Sequence, residues 1–269
     1  MTKNINEDIS LLIIVPTLNS YKILPSLTKS LQSQTWPNWR VIFVDGNSSN
    51  DHCNWLNNCC SNDPRFTWIK QSKDTKGIYG AMNCGFIQAK KNDWILFWGS
   101  DDIAAKSNVF EKVINSMRSE NYNFYDLIFC KGRYFNFKNG EKKRLTAFPL
   151  SKPLNMVRYR RKLFFGCSPC HQASIIGPGA RKILNCYSEK LRLASDLDYF
   201  LKLSTHDIRI NLLNFELVNM SDGGISGKET KLRIKEVILC YKNSFGALWL
   251  FPFISRYLRR IIRLINNEY

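Results

Sequence analysis

The sequence lacks several things that would have decided its class at once. In 269 residues there is no uninterrupted apolar run of about 18, so no bilayer-crossing helix is expected. Met1 to Asp8 is polar and carries two acids, which argues against a secretory leader at this end. Histidine is scarce: His52, His171 and His206 are the only three. No internal repeat is found, and C-x-x-C occurs once, with no H-x-x-x-H beside it. Helix-turn-helix, RNA-binding aromatic and zinc-finger spacings are absent, so the excess of 39 basic over 22 acidic residues, a net charge of +17, has no nucleic-acid motif to serve. The nine cysteines are odd in number and scattered without a framework, as expected of reduced thiols in a cytoplasmic protein.

What is present alternates. Leu11–Val15 is a short β-branched run closed by Pro16, and Tyr21–Leu31 carries Ile23, Leu24, Leu27 and Leu31 at helical spacing. Val41–Val44 reads as a second strand ending in Asp45-Gly46, and Asn47 to Asp51 opens a second helix. Phe66–Ile69 is a third strand, Ile78–Ala89 a third helix, Trp94–Trp98 a fourth strand and Lys106–Met117 a fourth helix. Near-continuous apolar strands alternating with helices predict an α/β fold, a Rossmann-like, mostly parallel sheet with helices on both faces.

Three of these strands end in polar groups. The first ends in Pro16-Thr17-Leu18-Asn19, the second in Asp45-Gly46-Asn47-Ser48-Ser49 and the fourth in Ser100-Asp101-Asp102. Carboxyl ends of parallel strands share one rim, which is where such sheets bind ligands. Two acids side by side at a buried strand end are costly without a cation, and the oxygen-only chemistry suits a divalent ion shared with a phosphate. The bland alternatives are that Asp102 caps the next helix and that Asp-Gly simply makes a turn.

The ordered motifs V-P-T-L-N (Val15–Asn19), D-G-N-S-S-N-D (Asp45–Asp51), D-x-K-G-I-Y-x-A-M-N-x-G (Asp74–Gly85) and G-S-D-D (Gly99–Asp102) resemble glycosyltransferase family 2. The likeness runs from Leu11 to about Met117. It continues more weakly through His171-Gln172-Ala173, Ala194–Tyr199 and Gly223–Ser226. It implies the GT-A fold and a nucleotide-sugar donor, with uridine as the base, passed by inversion to a lipid-linked saccharide of a bacterial surface polysaccharide. On matching positions it places Asp45 at the base, with Pro16 and Thr17 beside it. Asp101 falls at the ribose, and Asp102 on Mn²⁺ or Mg²⁺ against the diphosphate. Asn19, Asp74, Lys76, Gly77, Asn83 and Ser100 are assigned to the same nucleotide sugar. Gly80 and Cys84 depart from the family, which often has an acid and a base there.

Inversion requires a base for the acceptor hydroxyl. The resemblance points to Asp196 at the start of the helix Asp196–Leu203, with Asp198 two residues on. An N-cap role for Asp196 is the competing reading. In Cys167-Ser168-Pro169-Cys170-His171-Gln172, haem attachment and zinc ligation compete with an acceptor-lining role for His171 and Gln172. A nucleic-acid-binding or catalytically silent protein on the same scaffold is the alternative to an enzyme.

Asp126–Phe137 and Lys142–Phe148 read as a hairpin around Asn139-Gly140. Its basic tip and the cluster Arg158, Arg160, Arg161, Lys162 are expected at the surface, and Ile208–Leu217 as a strand. Domain limits are read as 1–227, with a nucleotide-sugar half about 8–120 and an acceptor half about 121–227, then a tail at 228–269. In the tail, Ile254, Tyr257, Leu258, Ile261, Ile262, Leu264 and Ile265 fall on one helix face and Arg256, Arg259, Arg260 and Arg263 on the other. That pattern predicts an interfacial helix on an anionic membrane surface, with the protein peripheral on the inner face of the plasma membrane. The alternative is a helix that docks its apolar face on the domain.

Overall fold

The computed structural model describes residues 9–119, 125–137, 139–149, 155–221 and 229–265, with backbone alone for 263–265. The strands are β1 (Ser10–Thr17), β2 (Trp39–Asp45), β3 (Phe66–Lys70), β4 (Asp93–Phe97), β5 (Ile103–Ala104), β6 (Leu127–Asn136), β7 (Glu141–Thr146), β8 (Ser174–Ile176) and β9 (Ile210–Ser221). The helices are α1 (Leu24–Gln32), α2 (Asn50–Asn62), α3 (Gly77–Ile87), α4 (Val109–Ser119), α5 (Met156–Phe164), α6 (Pro178–Ile183), α7 (Ser195–Leu203), α8 (Thr230–Phe245) and α9 (Leu250–Ile265).

One sheet runs β3-β2-β1-β4-β8-β6-β9-β5, with β7 paired to β6. The first four strands are parallel; β8 is antiparallel to both β4 and β6, so the second half is mixed. Side chains alternate across the sheet, as the pleat requires. Leu11, Ile13 and Val15 of β1 pack with α1, α2 and α4, whereas Leu12 and Ile14 pack with α3, α5, α7 and α8. A strand buried on both faces therefore reads as an unbroken apolar run.

The register sets the site. Thr17 lies opposite Asp45, and Asp45 opposite Lys70, so three strands end flush. From β1 the chain proceeds outward to β2 and β3, then returns to place β4 on the other side of β1. The order reverses between β1 and β4, and the crevice beyond such a switch point is the expected ligand site.

Several expectations need correction. Asp102 does not cap a helix, since α4 begins at Val109. The basic cluster at 158–162 lies on α5, with Arg158 and Arg161 exposed as expected, but between them Tyr159 and beyond them Leu163 are fully buried. Arg160 of that cluster donates to Ser204 Oγ at 3.0 Å and to the Ser244 carbonyl at 3.2 Å. The hairpin turn is present, with Gly140 at φ 73°, while Lys138 lies outside the described residues. So do the Gly223–Ser226 motif, the boundary at 227 and the side chains of Arg263, Leu264 and Ile265.

The tail divides in two. Val237, Cys240 and Tyr241 of α8 belong to the core, so for α8 the docking alternative holds. Contrary to expectation, Thr230–Ile262 is long and apolar enough, by length and composition, to cross a membrane. It is not one straight rod, however. Gly246 adopts φ 55°, ψ −127°, a conformation open chiefly to glycine, and a short 3₁₀ turn follows. Each flanking helix has 16 residues, roughly 24 Å at 1.5 Å per residue, short of a ~30 Å hydrocarbon core.

Candidate active site

The loops after β1, β2 and β3 are tied together by their own polar groups. Gly46 N–H donates to the Thr17 carbonyl at 2.9 Å, and Gln71 N–H to the Asp45 carbonyl at 2.8 Å. Asn19 N–H donates to Ser48 Oγ, and Ser49 N–H donates to Asn19 Oδ1, both at 2.8 Å. Asn19 and Asn47 hold positive φ, which Asn tolerates better than most residues. Thr17 is buried, its hydroxyl 3.5 Å from the Val44 carbonyl.

Asp45 is 1% exposed. Its Oδ2 accepts from the N–H groups of Asn47 at 3.2 Å and Ser48 at 3.1 Å, so the turn reading is correct for one oxygen. Oδ1 has no hydrogen-bond partner among the described residues. Its neighbour is His52 Nε2 at 3.5 Å. That imidazole is wholly buried, and neither of its nitrogens makes a hydrogen bond among the described residues. Burial lowers the His52 pKa, against the opposing pull of Asp45. Asp45 Oδ1 thus makes no hydrogen bond among the described residues and has only His52 Nε2 at 3.5 Å, which leaves it capacity to accept one from a ligand.

Ser100 to Asp102 close on the same rim. Trp98 N–H continues the ladder to the Ile14 carbonyl at 3.1 Å, and Ser100 Oγ donates to the Pro16 carbonyl at 3.0 Å. Asp102 is 3% exposed and accepts from Gly99 N–H at 2.6 Å. Burial, then the neighbouring Asp101 carboxylate, raises the Asp102 pKa well above the usual range. A Cβ on Gly99 would meet Asp101 Oδ1 at 2.9 Å and Asp102 Oδ2 at 3.3 Å. Two carboxylates thus converge over a residue with no side chain, an all-oxygen donor set that fits a hard divalent ion. Among the described residues no three His, Cys, Asp or Glu form a metal cluster, so a ligand's phosphate oxygens would complete the shell.

The α3 motif is distributed differently from expectation. Asp74 and the Lys76 side chain are exposed, and Gly77 opens α3 at φ 65°. Lys76 N–H donates to Glu189 Oε2 at 3.1 Å. Asn83 is buried and fully engaged away from the rim acids: Nδ2 donates to the Tyr187 carbonyl at 3.0 Å and to Glu189 Oε1 at 3.1 Å, and Oδ1 accepts from Tyr187 N–H at 2.7 Å. A groove of about 760 Å³ beside this loop is lined by Asn83, Tyr187 and Glu189 but by none of the rim acids.

On the other wall, α7 starts at Ser195 with Ala194 in the N-cap position and no side-chain cap. Asp196 is therefore the second residue of the helix, not its cap. It is half-buried, and Tyr79 Oη donates to its Oδ1 at 3.1 Å. The capping work is done from α8. Glu236 accepts from Arg192 N–H at 2.8 Å, Leu193 N–H at 2.7 Å and Ala194 N–H at 3.0 Å. Asp198 is buried and paired with Lys202 at 2.6 Å across one helical turn.

His171 lies beneath this wall. Its Nε2 is 2.8 Å from Tyr187 Oη, its ring is stacked on Phe97 at 5.4 Å, and burial lowers its pKa despite Asp196 nearby. The Gln172 carbonyl accepts from Trp98 Nε1 at 3.0 Å, which ties this turn to β4. Cys167 and Cys170 are free thiols, with Cys170 Sγ 3.6 Å from Met220 Sδ. Glu189, Tyr187 and Glu236 carry no local sequence signal, and Tyr79, though part of the Asp74–Gly85 motif, is given no role by it; packing brings the four together.

The model of the family "Glycosyl transferase family 2" matches residues 12–174. A PGL/p-HBAD biosynthesis glycosyltransferase of Mycobacterium tuberculosis is 28% identical over 190 residues, 70% of this chain and 66% of that protein, just under two thirds of its length. A GalNAc(5)-diNAcBac-PP-undecaprenol beta-1,3-glucosyltransferase of Campylobacter jejuni is 32% identical over 90 residues, 34% of this chain and 29% of that one. Among solved structures, S. aureus TarS 1–349 in complex with UDP-GlcNAc superposes with a TM-score of 0.67 at 18% identity, covering 93% of this chain and 73% of that one. The mannosyltransferase PcManGT from Pyrobaculum calidifontis, in complex with GDP-Man and Mn²⁺, gives 0.61 at 12% identity, covering 92% and 69%. The structural likenesses establish the GT-A fold. With the family match covering more than half of its length, this chain belongs to glycosyl transferase family 2.

Proposed function

We propose that this protein transfers a sugar, with inversion, from a nucleoside diphosphate sugar to a hydroxyl of a lipid-linked saccharide. The pathway would be bacterial surface polysaccharide or glycolipid synthesis, on the inner face of the plasma membrane. The observation that carries the reading is the convergence of Asp101 and Asp102 over Gly99 at the switch point, beside the strand end where Asp45 Oδ1 makes no hydrogen bond among the described residues. An oxygen acceptor at one end and a cation seat at the other suit a molecule with a base N–H and a diphosphate. TarS, of the same fold, binds UDP-GlcNAc, which favours uridine. The Campylobacter relative's undecaprenol-linked substrate favours a lipid-linked acceptor.

In this reading Asp45 accepts from the base, with Pro16, Thr17 and Asn19 shaping the loop beside it. Ser100 anchors the rim to β1, Asp101 meets the ribose and Asp102, with Asp101 near it, would hold Mn²⁺ or Mg²⁺. That ion would offset the charge developing on the diphosphate as it leaves. Asp74, Lys76 and Gly77 flank the donor on the α3 side. Asn83 instead braces the Tyr187–Glu189 loop. Asp196 takes the proton of the acceptor hydroxyl, held in orientation by Tyr79. His171 and Gln172 support the acceptor wall, and the pair Asp198–Lys202 stiffens α7. The folded catalytic unit is placed through α8 rather than ending at 227, because α8 contributes core residues.

The test is UDP release from a panel of nucleotide sugars with Mn²⁺ and an undecaprenyl-linked acceptor. Product from one UDP-sugar, lost with a chelator and in Asp196→Asn, is expected. Transfer undiminished by both would overturn the assignment.

A further inference from the structure

The last helix is mounted the opposite way round from an ordinary surface helix. Leu250, Phe251, Ile254, Leu258, Ile261 and Ile262 line its outer face, and each is 45–53% exposed. Their spacing puts them on one stripe. The inner face holds arginines. Arg256 Nη1 donates to Ser168 Oγ at 3.3 Å, and Arg259 Nε donates to the Phe165 carbonyl at 3.0 Å. The Arg256 backbone also lies directly on Gly166, where φ is 74° and a Cβ would collide with Arg256 N. Rolling α9 to bury its apolar stripe would break all of these contacts. The expectation that the arginines face lipid is therefore wrong for Arg256 and Arg259.

We infer that α9 is a hydrophobic membrane foot, inserting its apolar stripe into the lipid headgroup boundary while its inner arginines lock it to the protein. The rim of the stripe identifies the occupant as a bilayer. Lys242 is exposed and lies over the Trp249 ring at 4.9 Å. Arg161 is exposed beside Phe165, which abuts Phe251, and Arg260 is exposed on α9 itself. A second copy docked here would set like charges against each other, in a chain of net charge +17. Anionic headgroups complement the rim, and Trp at the edge of an apolar face suits the interface. Insertion, not Coulomb attraction, then supplies most of the affinity, so binding withstands salt that screens exposed charges.

The foot also deepens the proposed reading, on which its link to the acceptor rests. It is clamped to the 165–168 loop that leads into His171, while α8 holds the backbone just ahead of Asp196. Seating the foot therefore presents the acceptor wall to a substrate carried in the membrane.

The full chain should float with phosphatidylcholine vesicles containing phosphatidylglycerol at low salt and still at about 0.5 M salt, where the Debye length is only a few ångströms. Ile254→Ser, Leu258→Ser and Ile261→Ser combined should cut vesicle binding by more than about tenfold, with UDP binding and melting temperature unchanged. Arg161→Gln with Lys242→Gln should reduce the preference for anionic vesicles several-fold. Failure to float with either lipid, or undiminished flotation of the triple variant, would overturn the inference. So would a lipid-free dimer that the triple variant dissolves, since the stripe would then belong to a second copy. Loss of UDP binding with flotation intact would instead count against the donor site alone.

Discussion

The acids of the proposed donor rim find hydrogen-bond donors close in sequence; Asp196 does not. The Asp45 carboxylate is tied two and three residues on, and Asp102 is tied three residues back. The hydroxyl that meets Asp196 comes from 117 residues away, and the carboxylate that caps the chain before α7 from 42 to 44 residues away. Turn chemistry at a strand end is local, so the rim is written in short contiguous motifs. The wall around Asp196 is assembled by packing α3, α7 and α8 together, and stands or fails as tertiary structure.

The sharpest way to test that difference is to remove the proposed base without disturbing the rim. Asp196→Asn should lower turnover by ~10²–10⁴ while UDP affinity stays within twofold. A parallel loss of UDP binding would mean the two regions are not separable.

Glu236→Ala comes next. It leaves the N–H groups of Arg192, Leu193 and Ala194 without their acceptor, and charge-assisted bonds of this kind contribute ~1.5–3 kcal/mol each before relaxation and water replace part of it. Unfolding stability should fall by roughly 2–4 kcal/mol, and kcat should fall with donor KM unchanged. An unaltered melting curve would show that the wall does not depend on α8.

Asn83→Ala is a smaller test of the same contrast. Its motif suggested donor binding, but its amide braces Tyr187 and Glu189. Denaturant titration should show a loss of about 1–3 kcal/mol, and calorimetry an unchanged UDP affinity. A tenfold loss of affinity without destabilisation would restore the donor role.

The least effect is expected on the donor half, away from the site. Arg65 hydrogen-bonds Asp63 and holds its carboxyl down at about 2, from an ordinary 3.8. A depressed folded pKa stabilises above the ordinary value, and the benefit is lost as pH falls through the folded one. The pair is partly solvated, so the term is about 1 kcal/mol. The stability gap between wild type and Asp63→Asn should be constant above about pH 4 and close towards pH 2. A gap unchanged at pH 2 would contradict the assignment.

The same contrast explains what was legible in the sequence. Every strand and helix from Ser10 to Met117 except the two-residue β5 announced itself, because β1, β2 and β4 are buried on both faces, β3 runs through aromatic and β-branched residues from Phe66 to Ile69, and each loop carries its own turn residues. The second half did so only in part: the hairpin β6–β7, α7 and β9 were readable, and β8 and α5 were not. β8 has three residues, too few for a period to show, and the arginines of α5 masked the buried Tyr159 and Leu163. Asp196 is legible through its motif, but the roles of Glu236 and Tyr79 are not: a glutamate in an amphipathic helix looks ordinary until folded, and the Asp74–Gly85 motif that holds Tyr79 does not say that its hydroxyl meets Asp196. In α9 the periodicity was readable and its orientation was not: a stripe of six apolar residues does not say which face meets the protein. Arg256 and Arg259 settle that only through contacts to the 165–168 loop.

The most direct measurement is calorimetric titration of UDP into the wild-type protein and Asp102→Asn, each with Mn²⁺ and with EDTA. If Asp101 and Asp102 seat a metal against a diphosphate, wild type binds UDP at least tenfold more tightly with Mn²⁺, and the variant shows the same weak affinity in both conditions. Equal wild-type affinity with and without the ion would contradict it.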